Sequence, residues 1–230
     1  MTKEAFQNGQ VILIDKPLGW TSFQVVNKLR WAIRSRFKIK KIKVGHAGTL
    51  DPLASGLLII CTGKLTKKIN QYQGLPKVYT GTFTLGATTP SYDLETGIDQ
   101  QFSTAHLEEK LIRQTAQQFI GEIDQKPPLF SAIKKDGERL YEAARRGETV
   151  EIKTRKVHIY TFEITKIALP EVDFSVQCSK GTYIRSLAHD FGKALNSGAH
   201  LSELRRTKIG DFSVDNAVEP LKYVTQLDTL

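Results

Sequence analysis

Between Lys16 and Leu50 the chain contains no aspartate or glutamate. The same stretch carries Lys16, Lys28, Arg30, Arg34, Arg36, Lys38, Lys40, Lys41 and Lys43, as many positive charges as the net +9 of all 230 residues. Charge concentrated in this way suits a face that meets a polyanion better than it suits general solubility. Cysteine is scarce as well. Cys61 and Cys178 lie far apart, each inside an apolar run, which points to two buried free thiols and against a disulfide framework. No apolar run approaches ~18 residues and no leader pattern is seen, so neither a membrane span nor secretion is supported and a cytoplasmic location is expected. Metal-ligand spacings and a dinucleotide-binding glycine pattern are missing too. Gly63-Lys64-Leu65-Thr66 suggests a phosphate loop, but it lacks the upstream glycine and has leucine where Ser or Thr must reach a metal. No metal and no cofactor is expected. The 40% hydrophobic and 25% charged content is that of an ordinary globular chain, long enough to bury one full core.

One carboxylate stands out against the cationic background. Asp51 sits in Gly45-His46-Ala47-Gly48-Thr49-Leu50-Asp51-Pro52-Leu53-Ala54-Ser55-Gly56-Leu57-Leu58. Pro52 restricts Asp51 to extended or turn geometry. Gly45, Gly48 and Gly56 let the backbone bend sharply and let a large partner come close. Leu57–Cys61 then reads as a buried strand. An Asp-Pro turn before a core strand would account for the bare pattern. The surrounding charge argues for more, because nearby cations favour the ionised acid and attract nucleic acid.

His46-Ala47-Gly48-Thr49-Leu50-Asp51-Pro52, followed by Ala54-Ser55-Gly56-Leu57-Leu58, closely resembles the catalytic motif of TruB-type tRNA pseudouridine-55 synthases. Matching segments extend the resemblance from about Val11 to Phe212. It implies an α+β fold: a large mixed, mainly antiparallel sheet flanked by helices, with a central RNA-binding cleft. It implies one catalytic domain over residues 1–230, with a thumb-like RNA-binding insertion at about 127–155 and without the small C-terminal RNA-binding domain of many bacterial members. The activity implied is isomerisation of uridine to pseudouridine at position 55 in the tRNA T-loop, by base flipping and without cofactor. The partner implied is the T-stem-loop, bound by a monomer with no protein partner.

The same resemblance supplies roles for single residues. Asp51 is the catalytic acid, attacking the uridine or abstracting a sugar proton. Arg185, in Gly181-Thr182-Tyr183-Ile184-Arg185-Ser186-Leu187, matches the arginine that pairs with that aspartate. An arginine in the first turn of a helix is opposed by the helix dipole, which by itself calls for a carboxylate partner. Tyr79, in Lys77-Val78-Tyr79, matches the tyrosine that stacks on the target base, although a tyrosine on an apolar strand face is ordinarily core. His46 is expected to be exposed between glycines and to hold the flipped RNA. Lys67 aligns with a lysine near the active site, and Leu204 with a leucine that packs there. Arg205 and Arg206 contact RNA or hold the fold, and Asp93 orients its neighbours or makes an Asx turn. Two other readings fit the same residues. One is a catalytically silent RNA-binding module, the other a hydrolase using Asp51, which lacks a partner acid or metal cluster.

Periodicity and turn signals give the elements. Val11–Ile14 reads as a strand, closed by a turn at Pro17 and Gly19. A helix from Ser22 to about Phe37 is capped by Thr21 or Ser22, with Phe23, Val26, Leu29 and Ile33 inward and the basic residues outward. Thr66 opens a helix to about Tyr72, and Lys77–Gly86 alternates as a strand. Thr104–Phe119 is a helix with Leu107, Leu111 and Ala116 inward. Asp136-Gly137 is a turn, and Leu140–Arg146 a short helix. Glu151–Lys153, Val157–Ile167 and Val172–Cys178 are strands, the second with His158, Tyr160, Phe162 and Ile164 on one face and His158 structural. Thr182 caps a helix to about Asn196, and Lys208–Val214 is the last strand.

Overall fold

The computed structural model describes residues 2–131, 134–135, 138–139, 142, 146, 148 and 150–229. In chain order the elements are α1 (Lys3–Asn8), β1 (Val11–Lys16), α2 (Ser22–Arg36), β2 (Val44–His46), β3 (Ala54–Thr62), a 3-10 helix (Gly63–Lys68), α3 (Ile69–Gly74) and β4 (Lys77–Leu85). Then come β5 (Ala87–Thr88), β6 (Gln100–Gln101), α4 (Glu109–Gln117), β7 (Gly121–Gln125), β8 (Lys134–Lys135), β9 (Glu138–Arg139), β10 (Arg155–Ala168) and β11 (Glu171–Cys178). The last are α5 (Ile184–Ala194), β12 (Ala199–Ile209), β13 (Phe212–Ser213), a 3-10 turn (Val214–Asn216) and α6 (Pro220–Asp228). Among the described residues, nine strands form one sheet in the order β1-β3-β12-β4-β11-β10-β7, with β2 added on β3 and β13 on β12. It is mixed: β12 runs parallel to β3, while β1 and β2 on β3, β7 and β11 on β10, and β13 on β12 are antiparallel. The expected α+β class is what the structure has. The chain divides into two compact units, Met1–Tyr79 with Leu204–Leu230, and Thr80–Glu203.

In the first unit α2 begins where the sequence signals it. The Thr21 hydroxyl accepts from the Gln24 amide at 3.1 Å while the Gln24 side chain accepts from the Thr21 amide at 2.7 Å, a capping box. The buried stripe is Val25, Val26, Leu29, Ala32 and Ile33. Phe23, expected inside, is 62% exposed; Ser22 rather than Phe23 falls on the helical period of that stripe. β3 separates two cores. Leu58 and Ile60 join Ile14, Leu29, Ile33 and Leu227 on one face, while Leu57, Ile59 and Cys61 pack with Ile209 on the other. Burial on both faces is why its sequence is apolar without alternation. Cys61 is a buried free thiol, as expected, and burial pushes its pKa up to about 11, so it is unreactive packing. The helix expected to open at Thr66 instead starts as the 3-10 turn at Gly63, and the Thr66 hydroxyl donates back to the Gly63 carbonyl at 2.8 Å.

The second unit is centred on aromatics. Phe83 stacks on Phe174 with ring centroids 4.1 Å apart, and Phe162 and Phe191 meet each other edge to face. β10 carries a register shift between Ile159 and Thr161. The bulge switches the buried face from Val157 and Ile159 to Phe162 and Ile164. His158 and Tyr160, expected with Phe162 inside, are therefore exposed. α4 is shorter than its pattern and buries Ile112, Thr115 and Ala116, leaving Leu111 exposed. Glu151–Lys153 forms no strand. The last long strand begins at Ala199, well before Lys208, and turns at Gly210 into β13. β8 and β9 pair antiparallel; the turn expected at 136–137 and most of the helix expected at 140–146 lie outside the described residues.

Candidate active site

The Asp51 loop is clamped from three sides within the first unit. Ser22, at the start of α2, holds both polar backbone groups of Leu50: its hydroxyl accepts from the Leu50 amide at 2.9 Å and donates to the Leu50 carbonyl at 3.1 Å. The Gly19 amide donates to the Pro52 carbonyl at 2.8 Å. Arg206, buried in β12, donates to the carbonyls of Leu57 at 2.8 Å and Gly48 at 3.1 Å. Gly48 and Gly56 take positive φ of 97° and 104°, conformations costly to a side-chain-bearing residue. At Gly56 a Cβ would also stand 2.3 Å from the Arg206 carbonyl oxygen, so β12 packs directly on the loop's exit. Asp51 itself is half-buried and outside any helix, as Pro52 requires.

Lys16, the last residue of β1, lies in Coulombic reach of Asp51. It is buried and donates to the carbonyls of Pro17 at 3.0 Å and Trp20 at 2.6 Å. Burial pulls its pKa down to about 8, and the Asp51 carboxylate works against that fall while Arg206 adds to it. The sequence did carry the signal. Ile12, Ile14 and Lys16 alternate with less buried residues along β1, so the strand period puts Lys16 on the inner face. Arg205 and Arg206 both hold the fold. Arg205 clasps Asp15 through two bonds, at 3.0 and 2.7 Å.

His46 differs from expectation. It ends β2, paired with Ile60, and is half-buried. Strand pairing draws it inward in spite of its flanking glycines. Burial and the Arg206 guanidinium push its pKa below the ordinary histidine value, so the ring is neutral at pH 7. Leu204 pairs in parallel with Ala54, three residues beyond Asp51. Tyr79 is buried in β4. Lys67 is exposed at the end of the 3-10 helix.

Arg185 lies in the second unit, in the first turn of α5, buried. Thr182 does not cap that helix: its hydroxyl turns back to the Ser179 carbonyl at 3.0 Å. Tyr183 is the cap residue, and Gln125 fixes it by donating to its carbonyl at 3.0 Å and accepting from its amide at 2.8 Å. The Arg185 guanidinium reaches the Asp93 carboxylate at 3.5 Å and the Ser91 carbonyl at 3.3 Å. Asp93 fills both of its expected roles, since it also accepts from the Glu95 amide at 3.0 Å in an Asx turn. The dipole argument calls for a carboxylate beside Arg185, and Asp93 is one. Among the described residues no group of three or more His, Cys, Asp or Glu side chains could hold a metal ion.

Residues 34–184 match the model of the TruB family pseudouridylate synthase N-terminal domain. The chain belongs to the TruB family. Residues 185–227 match the tRNA pseudouridylate synthase B C-terminal domain. Among TruB proteins, the chain is 68% identical over 220 residues to tRNA pseudouridine synthase B of Flavobacterium johnsoniae, covering 95% of this chain and 96% of that one. It is 51% identical over 223 residues to the protein of the same name from Bacteroides fragilis, covering 97% and 96%. Of solved structures, a Cbf5-Nop10-Gar1 complex matches at TM-score 0.71 and 32% identity over 99% of this chain and 58% of the matched one. An H/ACA RNP bound to a substrate RNA containing 2'-deoxyuridine matches at 0.69 and 30%, over 98% and 56%. This chain thus spans a little over half of those two chains. No helix among the described residues is long and apolar enough to cross a membrane.

Proposed function

We propose that this TruB-family chain isomerises uridine to pseudouridine in tRNA, at position 55 of the T-loop, with Asp51 as the catalytic residue. The reaction breaks the N1–C1′ bond, turns the base and joins C5 to C1′; the C5 proton leaves and N1 gains one. No electrons are exchanged with another molecule. The target base has to leave the stack, and a loop nucleotide does so at lower cost than one in a duplex. The observation that carries the reading is the Asp51 loop: a half-buried carboxylate on a backbone pinned by Ser22, Gly19 and Arg206, with the Lys16 charge in Coulombic reach. Pinning of this kind holds a reacting group in place before substrate arrives.

In this reading Asp51 acts on the everted uridine, as nucleophile or by taking a sugar proton. Arg185 orients Asp51, and Tyr79 stacks on the base and receives the C5 proton. Leu204 walls the base, and Lys67 and neutral His46 contact RNA. Residues at about 127–155 close on the T-stem-loop. The protein works as a monomer in the cytoplasm. The test is to incubate the purified chain with an unmodified tRNA transcript and map pseudouridine chemically. One modified nucleotide at position 55 is expected; product elsewhere, or none, overturns the reading.

A further inference from the structure

Helix α2 wears an aromatic residue where solvent should be. Trp31 is 64% exposed on the side opposite the buried stripe, with the Lys28 ammonium 5.9 Å from its ring. The helix then closes by turning Lys38 into the left-handed region, φ 51°, while the Ile39 amide donates to the Arg34 carbonyl at 3.1 Å. That closure folds the basic linker back on the last turn. Two adjoining hollows result. Trp31, Arg34, Lys38 and Lys40 border one of about 410 Å³. Arg34 and Lys40 also border the other, of about 510 Å³, together with Arg30, Lys41, Lys43 and Gly45. No carboxylate lines either.

Arg30 and Arg34 are anchored to the carbonyls of Val44 at 3.1 Å and Ile39 at 3.4 Å, which fixes their guanidinium groups. Lys40, Lys41 and Lys43 are exposed, and their ammonium groups make no hydrogen bond or ion pair among the described residues. Fixed arginines, free lysines and an open indole face are the elements of a nucleic-acid track: ammonium groups replace phosphate counterions, and an aromatic surface stacks on an unpaired base. Solubility alone would require neither the exposed indole nor the absence of acids. Gly45, at the edge of the larger hollow, precedes Asp51 by six residues, so it lies no more than about 20 Å away. No residue from His46 to Leu58 lines either hollow.

We propose that the two hollows form a second RNA seat, holding the sugar–phosphate of a substrate segment away from the target nucleotide, with Trp31 stacked on an unpaired base. The proposal rests on the reading of the chain as an RNA-modifying enzyme and adds where it grips the RNA. The test measures binding of an unmodified tRNA transcript to the full chain, to Lys40→Gln/Lys41→Gln/Lys43→Gln and to Trp31→Phe and Trp31→Ala, each first shown folded by circular dichroism. At about 0.15 M salt the triple variant is expected to bind roughly 10-fold more weakly or worse, and its log Kd against log salt slope to fall by about 2–3. Trp31→Ala is expected to lose roughly 5-fold or more. Trp20 and Trp31 are the two tryptophans, and Trp20 packs against the core, so RNA should quench the fluorescence of the wild type and not of Trp31→Phe. Unchanged affinity and salt slope in the triple variant, or fluorescence indifferent to RNA, overturns the proposal and leaves a solvated basic surface or a protein-docking face. Wild-type pseudouridine formation on the same transcript is scored in parallel, so a failure of the enzymatic reading shows as absent product, separately from any change in binding.

Discussion

The hydroxyl of Ser22 closes a two-bond ring with the backbone of Leu50, accepting from its amide at 2.9 Å and donating to its carbonyl at 3.1 Å. Leu50 is the residue before Asp51, and Ser22 is the first residue of a helix fixed by its own capping box. The orientation of the candidate catalytic acid is therefore set by the beginning of α2, some thirty residues earlier in the chain.

Ser22→Ala leaves both Leu50 groups buried without partners, at a cost of about 2 kcal/mol. Urea unfolding should show that loss. Single-turnover rate should fall while tRNA affinity stays nearly constant, because the substitution loosens the loop and removes no RNA contact.

Asp93 and Arg185 form a buried ion pair in the second unit. Asp93→Asn leaves the guanidinium with less compensation, and breaking such a pair costs roughly 3 kcal/mol. Guanidinium chloride unfolding checks the stability, and mapped pseudouridine yield checks whether Arg185 keeps its working position.

Lys16 carries a pKa lowered to about 8. Between pH 8 and its ordinary value of 10.5 the unfolded chain holds a proton that the folded chain has released, so stability rises with pH across that window. The rise should be absent in Lys16→Met, and subtracting the two unfolding curves isolates it. Asp51→Asn removes the attraction that opposes burial and should move the Lys16 titration below 8, read by nitrogen NMR of its ammonium.

Asp190 behaves in the opposite sense. Burial pushes its pKa from 3.8 up to about 6, so the folded chain binds the proton more tightly and stability falls as pH rises through that interval. Asp190→Asn should raise the thermal midpoint at pH 7 by roughly 2–4 °C, the response of a chain this size to about 1 kcal/mol, and should be without effect near pH 4.

Much of this architecture was legible locally. Thr21 with Gln24 announces α2, the alternation of β11 fixes its inner face, and Pro52 keeps Asp51 out of a helix. What the sequence concealed came from tertiary pairing. A bulge beside Tyr160 swaps the faces of β10, which no period reveals. His46 is drawn inward by its pairing with Ile60, against what its glycine neighbours suggest. β12 begins at Ala199 and pairs in parallel with β3 from Leu204 to Arg206, a long-range contact invisible in its own residues. The candidate site divides in the same way. The Asp51 motif reads as a string, Lys16 could be placed by alternation, and Arg185 asks for a carboxylate. Asp93, far along the chain, is one carboxylate that it meets.

The most direct measurement is single-turnover pseudouridine formation by Asp51→Asn on unmodified tRNA, with affinity for the same RNA measured alongside. The expected result is near-complete loss of product, with tRNA affinity changed less than about threefold, the pattern of a group that acts only in the chemical step. A variant that forms product at the wild-type rate would contradict the assignment of Asp51 as the catalytic residue.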